Sequence, residues 1–361
     1  MRRDPPAARS PLDTWLAARL GLAGEGPSPG EVQAHHLAAL QDAVALVRDK
    51  SPFYRDKLSH LPTGFPRRLD DMAECPCTLP ADLARDHRPF VCVPLGDVEH
   101  MVTLSTSGTS GPAKRLAFTA ADLAATLDFF HHGMTTFTAP GDTVLILLPA
   151  PRVAELLSTA LARFGARGVA GFPAAWAPED RDPVTAFCRD MALARPRVVV
   201  IGPGLLDTLS RDPDACDAAR GRLRAVLTSG EPLSPDLRRL VERRFGCMVF
   251  DHYGLTESGF GGGVECAAQA GYHLREADLY VEIMDPATGA VLPEGQTGEV
   301  VVTTLGRQAM PLVRYRTGDA AAMLSGPCPC GSPLRRLGPV TGRYDSRHRI
   351  NVPQKGGAGA P

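Results

Sequence analysis

Seven small residues at positions 105–111 have the composition of an anion-binding loop. They read Ser-Thr-Ser-Gly-Thr-Ser-Gly, with five hydroxyl groups and two glycines. Hydroxyl and backbone N–H groups both donate to phosphate oxygens, and glycine lets the backbone approach the anion closely. The segment therefore predicts a phosphate-binding loop, although clusters of Ser, Thr and Gly are also typical of plain polar surface loops.

This loop does not match the P-loop of nucleoside triphosphatases. That motif, G-x-x-x-x-G-K-[ST], requires glycine five residues after Gly108 and a hydroxyl residue directly after the lysine. The chain has Ala113 and Arg115 at those positions, and Pro112 opposes the helix start that the motif needs. A Walker motif is excluded. We interpret Lys114 as a solvated or phosphate-attracting surface lysine.

Three cysteines and one histidine have the chemistry of a metal site. Thiolates and imidazole are common ligands of tetrahedral zinc, and three thiolates with one histidine form a standard structural set. Ordinary reduced thiols with a surface histidine are the alternative, and Cys75 and Cys77 form a second pair that could compete. We predict a structural Zn²⁺ bound by Cys266, His273, Cys328 and Cys330.

Alternating strands and helices must position these residues. Ser28-Pro29-Gly30-Glu31 predicts the start of an amphipathic helix that reaches about Lys50. The apolar run Val144–Leu148 predicts a strand buried on both faces, and an amphipathic helix follows it. Further short apolar runs predict more strands, and Ser234-Pro235 begins another helix. These runs lie at 168–172, 197–201, 224–228 and 247–250. We expect an α/β fold with helix-covered, mainly parallel sheets.

The two ends of the chain differ from this middle part. After residue 275 the helical spacing stops, and residues 279–284 and 299–304 predict antiparallel strands around a tight turn. Residues 1–27 are rich in Pro, Gly and Ala, so we expect a loosely ordered N-terminus. We expect one large domain over 28–341, and a hinge remnant with a disordered tail over 342–361.

Composition excludes several classes of function. The 361 residues include 39 basic and 40 acidic side chains, so the net charge is −1. A general nucleic-acid or anionic-membrane binder would need a basic surplus. No run reaches the roughly 18 apolar residues of a membrane span, and no secretory signal is recognisable. Nine cysteines, an odd number, favour free thiols or metal ligands. We expect a cytoplasmic protein that binds neither nucleic acid nor membrane.

Several short motifs occur along the chain in one order. They are Ser105–Gly111, Gly230-Glu231-Pro232-Leu233, Tyr253-Gly254-Leu255-Thr256-Glu257, Tyr315-Arg316-Thr317-Gly318-Asp319 and Gly342-Arg343-Tyr344-Asp345. Together they resemble the motifs of the adenylate-forming enzymes, the acyl-CoA synthetase superfamily. Ser51-Pro52-Phe53-Tyr54-Arg55 and Met310–Tyr315 are typical of its phenylacetate–CoA ligase branch. The resemblance runs from about residue 35 to 345, and it implies the large N-terminal domain of the adenylate-forming fold.

The resemblance implies a reaction in two halves. A carboxylate attacks the α-phosphate of ATP to give an acyl-adenylate and pyrophosphate, and coenzyme A then accepts the acyl group. Phenylacetate or a similar aryl or short acyl acid is the implied substrate. Such a transfer needs positioning and charge stabilisation more than covalent help from the protein.

The resemblance also implies a role for each motif residue. Thr256 donates to the α-phosphate and Glu257 holds Mg²⁺, since a carboxylate suits that hard cation. Asp319 accepts from the ribose hydroxyl groups, and Arg343 contacts the ribose or a phosphate. Without the motifs, a Glu after Thr or an Asp after Gly is most often a solvated or turn residue.

The implied phosphate ligands are Ser105, Thr106, Ser107, Gly108, Thr109, Ser110 and Gly111. The implied adenine site comprises Tyr253, stacked on the base, Gly230, Glu231 and Pro232 opposite, and Asp251 near the amino group.

Two further features near Tyr253 have open interpretations. His252 is expected either to line the acyl pocket or to be a packed histidine at a strand end. The glycine-rich run 259–263 is either a close approach for substrate or a flexible loop. Some phenylacetate ligase-like proteins also carry a zinc site resembling the Cys/His set above.

The chain departs from the family at its C-terminal end. Relatives carry a further small mobile domain of about a hundred residues, whereas only 16 residues follow Asp345 here, too few for a domain. We therefore expect the small domain to be absent from this chain, with a partner chain as one source of it in trans. Two alternatives stay open at this point: a nucleotide- or acyl-adenylate-binding protein without turnover, and an adenylyltransferase like the coenzyme F390 synthetases.

Overall fold

The structure, a computed structural model, describes residues 9–24, 26–104, 113–172, 182–345 and 348–351. The loop predicted at 105–111 lies outside the described residues. Nine of the ten α-helices in the described ranges begin at a proline, whose fixed φ and missing N–H suit the first helical position. They are α1 (Pro11–Arg19), α2 (Pro29–Lys50), α3 (Pro52–Lys57), α4 (Pro80–Arg85), α5 (Ala120–Met134), α6 (Pro151–Ala162), α7 (Pro183–Ala194), α8 (Pro203–Arg211), α9 (Pro213–Ala219) and α10 (Pro235–Phe245).

After one antiparallel pair, the parallel strands come first and the antiparallel strands of the β-rich end come last, as predicted. They are β1 (His100–Leu104), β2 (Lys114–Phe118), β3 (Thr143–Leu147), β4 (Arg167–Ala170), β5 (Val198–Ile201), β6 (Ala225–Ser229), β7 (Met248–Tyr253), β8 (Gly263–Glu265), β9 (Tyr272–Leu274), β10 (Leu279–Met284), β11 (Thr297–Thr304), β12 (Tyr315–Leu324), β13 (Arg336–Leu337), β14 (Gly342–Tyr344) and β15 (Ile350–Asn351). The predicted α/β fold class is confirmed. None of the helices in the described ranges is long and apolar enough to cross a membrane.

The chain forms two compact units. Unit 1 contains residues 1–29, 121–275 and 327–334, and unit 2 contains 30–120, 276–326 and 335–361. The single large domain expected over 28–341 stays a prediction. The chain passes from one unit to the other without a proline-rich linker or a change in composition. The sequence therefore carried no local signal of the unit boundaries.

Unit 1 is built on a parallel sheet. Strands β4, β3, β5, β6 and β7 lie side by side in that order, and the short strands β8 and β9 continue the sheet in antiparallel pairing. Apolar side chains of the strands and of α7–α10 pack into one core, which explains why the strands appear as continuous apolar runs. The core includes Leu145, Phe187, Val199, Val226 and Phe245, each 1% exposed or less.

The N-terminal segment contains a helix of unit 1, contrary to the expected loose order of residues 1–27. Ser10 caps α1 through its side chain, and Pro11 occupies the first helical position. Leu12, Trp15 and Leu16 are buried, and the indole N–H of Trp15 donates to Asp128 at 2.6 Å. The segment is rich in Pro and Ala, so its composition did not predict a helix. A helix needs only a few large apolar residues to anchor it in the core.

Unit 2 consists of α2–α4, the antiparallel pair β1–β2 and the β-rich end. β10, β11 and β12 form a meander, which confirms the predicted antiparallel arrangement. Strand β12 also pairs with β13 and β14, and β14 pairs with β15. Residues 342–344 and 350–351 are paired strands, and the register Asp319↔Arg343 fixes β14 against β12. The hinge remnant expected here stays a prediction, and the tail expected beyond residue 351 lies outside the described residues.

Candidate active site and metal centre

A cavity of about 670 Å³ opens in unit 1 where the parallel strands end. Its walls come from the segments directly after β3, β5, β6 and β7, together with the first turn of α8. Ligands of open α/β sheets bind at the carboxyl ends of the strands, and this volume lies within the range of small-molecule sites. The walls include Pro149, Gly202, Gly204, Ser229, Gly230, Glu231, Gly254, Leu255 and Thr256.

Three of the residues singled out by their motifs border this cavity: Gly230, Glu231 and Thr256. Gly230 has φ +95°, a left-handed conformation that glycine adopts without strain, so the chain turns sharply as β6 ends. This turn brings Glu231 opposite α8, where a Cβ placed on Gly204 would lie 3.5 Å from the Glu231 carboxylate. The two motif segments after β6 and β7 therefore meet at one cavity.

A tight turn after β7 holds Thr256. The amide N–H of Ser258 donates to the Leu255 carbonyl at 3.2 Å, and the amide N–H of Leu255 donates to the Ser258 hydroxyl at 3.2 Å. The amide N–H of Gly259 then donates to the Thr256 carbonyl at 3.0 Å. These bonds fix the backbone around Thr256, which reduces the entropy lost when its hydroxyl binds a ligand. Glu257, on the same turn, is 7% exposed.

Asp251 lies in a buried polar network. Its carboxylate accepts from the hydroxyl groups of Thr228 at 2.6 Å and Tyr272 at 2.7 Å. Its amide N–H donates to Glu265 at 2.8 Å, and Glu265 pairs with Arg238 at 2.8 Å. Burial raises the pKa of Asp251 and of Glu265 above their usual values, partly offset by these contacts. The network stabilises the end of β7.

Four residues of unit 1 that were expected around the nucleotide are not among those that line the cavity: Pro232, Asp251, Tyr253 and Glu257. Tyr253 is 7% exposed, and its ring lies 6.1 Å from the ring of Tyr272. Since successive strand residues point to opposite faces, Tyr253 and Asp251 share one face of β7 and His252 occupies the other. The adenine-contact roles of Tyr253 and Asp251 stay predictions.

A second, apolar cavity adjoins the first within unit 1. The two share Leu148, Val153, Ser229 and Phe260 as lining residues. The remaining walls are mostly aromatic and aliphatic, as expected for a pocket that binds an apolar group. These walls include Phe129, Phe130, Met134, Phe137, Leu157, Val200, Leu227, His252 and Val264. His252 was expected either to line an acyl pocket or to be packed; it lines this cavity.

Asp319 and Arg343 form an ion pair in unit 2. The guanidinium Nε of Arg343 lies 3.1 Å from the Asp319 carboxylate, and another of its nitrogens donates to the Thr317 carbonyl at 2.6 Å. Asp319 is 6% exposed, whereas the Arg343 side chain is 64% exposed. The same unit places Lys114 with its ammonium 3.2 Å from the Tyr315 hydroxyl, so this lysine is not simply solvated.

Cys266, His273, Cys328 and Cys330 converge in unit 1, and all four are buried. Their ligand atoms lie within 4.8 Å of one another. The Sγ atoms of Cys266 and Cys328 are 3.7 Å apart, and Cys330 Sγ is 3.6 Å from His273 Nε2. Zinc–sulfur bonds of about 2.3 Å and zinc–nitrogen bonds of about 2.0 Å in a tetrahedron give sulfur–sulfur and sulfur–nitrogen edges of about 3.8 and about 3.5 Å. The four residues fit a tetrahedral zinc ion, and Cys75 and Cys77 lie outside the cluster.

Sequence reasoning missed the wall of the first cavity formed by β3 and α8. Pro149, Gly202, Gly204 and Thr208 carry no distinctive chemistry. The position of Pro149 and Gly202 offered a signal, since both directly follow predicted strands and the carboxyl ends of parallel strands converge at one edge of a sheet. Gly204 and Thr208 lie within α8 and carried no such signal.

Comparison with known proteins identifies the family. A family model of the AMP-binding enzyme matches residues 72–311. The phenylacetate–coenzyme A ligase of Pseudomonas putida is 30% identical over 331 residues, covering 89% of this chain and 72% of that protein. The phenylacetate–coenzyme A ligase of Thermus thermophilus is 32% identical over 317 residues, covering 85% and 69%. The chain belongs to the phenylacetate–coenzyme A ligase family of AMP-binding enzymes.

This family assignment makes the chain an AMP-forming acid–thiol ligase, and it confirms the resemblance seen in the motifs. A solved structure of 2-hydroxyisobutyryl-CoA ligase, in an open conformation with 2-HIB-AMP and CoA, superimposes with a TM-score of 0.75. It covers 88% of this chain and 76% of that one at 24% identity. That similarity confirms the ligase fold and carries no information about the acid.

Proposed function

We propose that this ligase activates phenylacetate or a closely similar aryl acid. The acid's carboxylate oxygen forms a bond to the α-phosphorus of ATP and pyrophosphate leaves, which gives an acyl-adenylate. The thiol sulfur of coenzyme A then attacks the acyl carbon, AMP leaves, and the thiol proton is released to solvent. One observation carries the proposal: motif residues Gly230, Glu231 and Thr256 border a cavity that adjoins an apolar, aromatic-walled one.

The two cavities adjoin in the order that the two halves of an aryl-adenylate require, and the smaller one, of about 40 Å³, would have to widen to admit the aryl group. The larger one has backbone turns and polar side chains, which can position a nucleotide. The smaller one has the phenylalanines Phe129, Phe130 and Phe137, whose rings favour offset or edge contacts with an aromatic group. In this arrangement the acid's carboxylate lies near Ser229 and Phe260, which line both cavities.

The chain's own residues would act by positioning. Thr256, on its hydrogen-bonded turn, would donate to the α-phosphate, where negative charge accumulates as the acid attacks. Loop 105–111 would hold the β- and γ-phosphates, and Asp319 would accept from the ribose hydroxyl groups. Removing one such donor typically slows a reaction by about 10²–10³.

Two metal ions belong to the proposal. Glu257 would hold Mg²⁺, because a carboxylate oxygen beside triphosphate is the ligand environment that this cation takes. Bound Mg²⁺ would neutralise charge on the phosphates. The second ion is a structural Zn²⁺ held by the four converging residues, with three thiolates and an imidazole leaving no open coordination position.

The decisive experiment is ATP–pyrophosphate exchange with the 361-residue protein, Mg²⁺ and a panel of aryl and short aliphatic acids. We expect slow exchange that depends on an aryl acid. Thioester formation after coenzyme A is added should be almost absent until a C-terminal domain is supplied in trans. Nucleotide binding without exchange for any acid would contradict the proposal and favour a binding protein. Exchange with a deazaflavin acceptor instead of an acid would favour an adenylyltransferase.

A further inference from the structure

Strand register pairs one histidine with one serine on the wall of the apolar cavity. Ser229 of β6 lies opposite His252 of β7, one position beyond the pair Thr228–Asp251. Because side chains alternate along a strand, Thr228 and Asp251 face the buried network, whereas Ser229 and His252 face the cavity. Among the described residues that line the apolar cavity, only Ser229 and His252 have side chains with N–H or O–H hydrogen-bonding groups.

One nitrogen of His252 is satisfied by that pairing and the other is not. Nδ1 lies 3.1 Å from the Ser229 hydroxyl. Nε2 is buried and has no hydrogen-bond partner within the described part of the chain. The imidazole instead lies among apolar groups, with the rings of Phe129 and Phe130 at 6.2 and 6.3 Å. A buried polar atom without a partner is destabilising, and at a binding site it indicates that a ligand provides the partner.

The glycine-rich run beside Tyr253 keeps one side of this imidazole free of a side chain. A Cβ on Gly261 would lie 3.3 Å from His252 Nε2 and 2.5 Å from Phe129 Cε1. Only glycine therefore fits between these two rings. Gly261 thus takes part in shaping the space next to Nε2.

His252 is electrically neutral at neutral pH. Burial, together with the positive charge of Arg275, lowers the pKa of His252 to about 4. A neutral imidazole has one N–H and one lone pair, and the tautomer decides which of them Nε2 carries. Nε2 therefore offers a neutral hydrogen bond and no charge to a ligand.

We propose that His252 is a specificity-determining residue that selects an acid with a hydroxyl substituent on its apolar part, bound at Nε2. A hydroxyl group both donates and accepts, so it satisfies either tautomer of His252. An amine would bring a positive charge into an apolar wall that the positive charge of Arg275 already reaches, whereas a hydroxyl group brings no charge. The inference rests on the proposed function and goes beyond it, because it distinguishes hydroxylated aryl acids from phenylacetate itself.

The test compares the affinities of four non-reactive adenylate analogues for the full chain. They are the sulfamoyladenosine derivatives of phenylacetate and of its ortho-, meta- and para-hydroxy forms, measured by calorimetry. We expect at least one hydroxylated analogue to bind about tenfold more tightly than the parent. His252→Leu should reduce that ratio to about one, whereas His252→Gln, which keeps a donor and an acceptor, should restore part of it.

Met134→Leu is the matched control, since it alters the cavity wall without altering its hydrogen-bonding groups. It should shift both affinities together and keep their ratio. A ratio that survives His252→Leu, or the absence of any preferred isomer, would overturn the inference. Failure of all four analogues to bind the native protein would instead contradict the proposed function.

A second measurement does not depend on how the variants fold. In ¹⁵N-histidine-labelled native protein, the preferred hydroxylated analogue should move the Nε2 resonance of one buried imidazole, and the parent analogue should not. Equal shifts with both analogues would overturn the role of His252.

Discussion

Glu257 and Thr256 share a single hydrogen-bonded turn, although only Thr256 borders the cavity. Glu257 is 7% exposed, so it is not simply a solvated glutamate. Its role in holding Mg²⁺ stays a prediction that rests on the motif.

Glu257→Gln should therefore slow acid-dependent ATP–pyrophosphate exchange by about 10²-fold and raise the Mg²⁺ concentration needed for half-maximal rate. The amide keeps the shape of the side chain but loses the charge that attracts the cation. Glu155→Gln is the control, since Glu155 of α6 has a side chain that is 64% exposed. An unchanged Mg²⁺ dependence in Glu257→Gln would remove this residue from the metal site.

At the scale of single residues, the sequence predicted which residues lie near the site but not where their side chains point. Gly230, Glu231 and Thr256 were found through their motifs, and they border one cavity. Tyr253 and Asp251 belong to the same motif region but face the other side of β7. Motif spacing names the residues near a site, whereas strand alternation and hydrogen-bond partners such as Tyr272 decide where each side chain points.

Strands that appear in the sequence as continuous apolar runs could be predicted, whereas the shortest strands could not. The parallel strands β3 and β5–β7 appear as apolar runs because both faces are buried. Strands β8 and β9 have three residues each, too few to show alternation. Yet β9 carries Tyr272 and His273, so it joins the polar network to the metal cluster.

The metal cluster leads to a prediction about stability. Purified protein should contain one zinc per chain, and Cys330→Ser should lose most of it. Removing the ion with a chelator should lower the free energy of unfolding by about 3 kcal/mol, because metal binding is coupled to folding. Metal analysis and denaturant titration measure the two effects.

Cys188→Ser is the control for the metal variant, because Cys188 lies on α7 outside the cluster. It should keep both the zinc and the stability. Well under one zinc per chain in native protein would show that the four residues are only reduced thiols and a buried histidine.

The buried ion pair of the β-rich end leads to a pH-dependent prediction. Arg314 and Glu282 are 3.1 Å apart, and their side chains are 2% and 3% exposed. Burial raises the pKa of Glu282, while Arg314 opposes that rise. Arg314→Leu should therefore leave a buried carboxylate without compensation and cost about 3–5 kcal/mol near neutral pH.

The pH dependence of this variant follows from the direction of the shift. With a folded-state pKa above the unfolded one, folded Glu282 binds its proton more tightly, so stability rises as the pH falls through the folded pKa. Arg314→Leu should be less destabilised at about pH 5 than at about pH 8 in denaturant titrations. Glu282→Gln combined with Arg314→Leu should remove that difference; equal destabilisation at both pH values would refute this account.

For the whole molecule, the assembly of the two units was beyond sequence reasoning. Unit 1 takes residues from three separate parts of the chain, and unit 2 takes the rest. Local composition reports which segments form strands or helices, whereas membership of a compact unit depends on contacts between distant segments. The overall fold class could still be predicted, because alternating strands and helices already imply a parallel sheet.

Binding of an acyl-adenylate should stabilise the folded chain more than Mg-ATP does. In the proposed binding mode the adenylate would reach both adjoining cavities of unit 1, and it lacks the charge of the triphosphate. At about a hundred times its dissociation constant, a ligand adds about 2.7 kcal/mol, which corresponds to about 3–4 °C in Tm for a chain of this length. Calorimetry with phenylacetyl-sulfamoyladenosine measures the shift; adenosine alone should give a smaller one. A larger shift with Mg-ATP at matched concentration would argue against an acyl half-site.

Unit 1 is built from three separate segments of the chain, and this sets the order in which its contacts can form during synthesis. Cys266 and His273 leave the ribosome well before Cys330, which is 57 residues further along the chain than His273. At about 5–20 residues per second, that gap lasts about 3–11 s. Helix α1 is made earlier still, and its Asp13 gains the contact with Ser332 only after residue 332 has been made. For seconds, a nascent chain thus carries Cys266 and His273 without the two cysteines that complete the cluster.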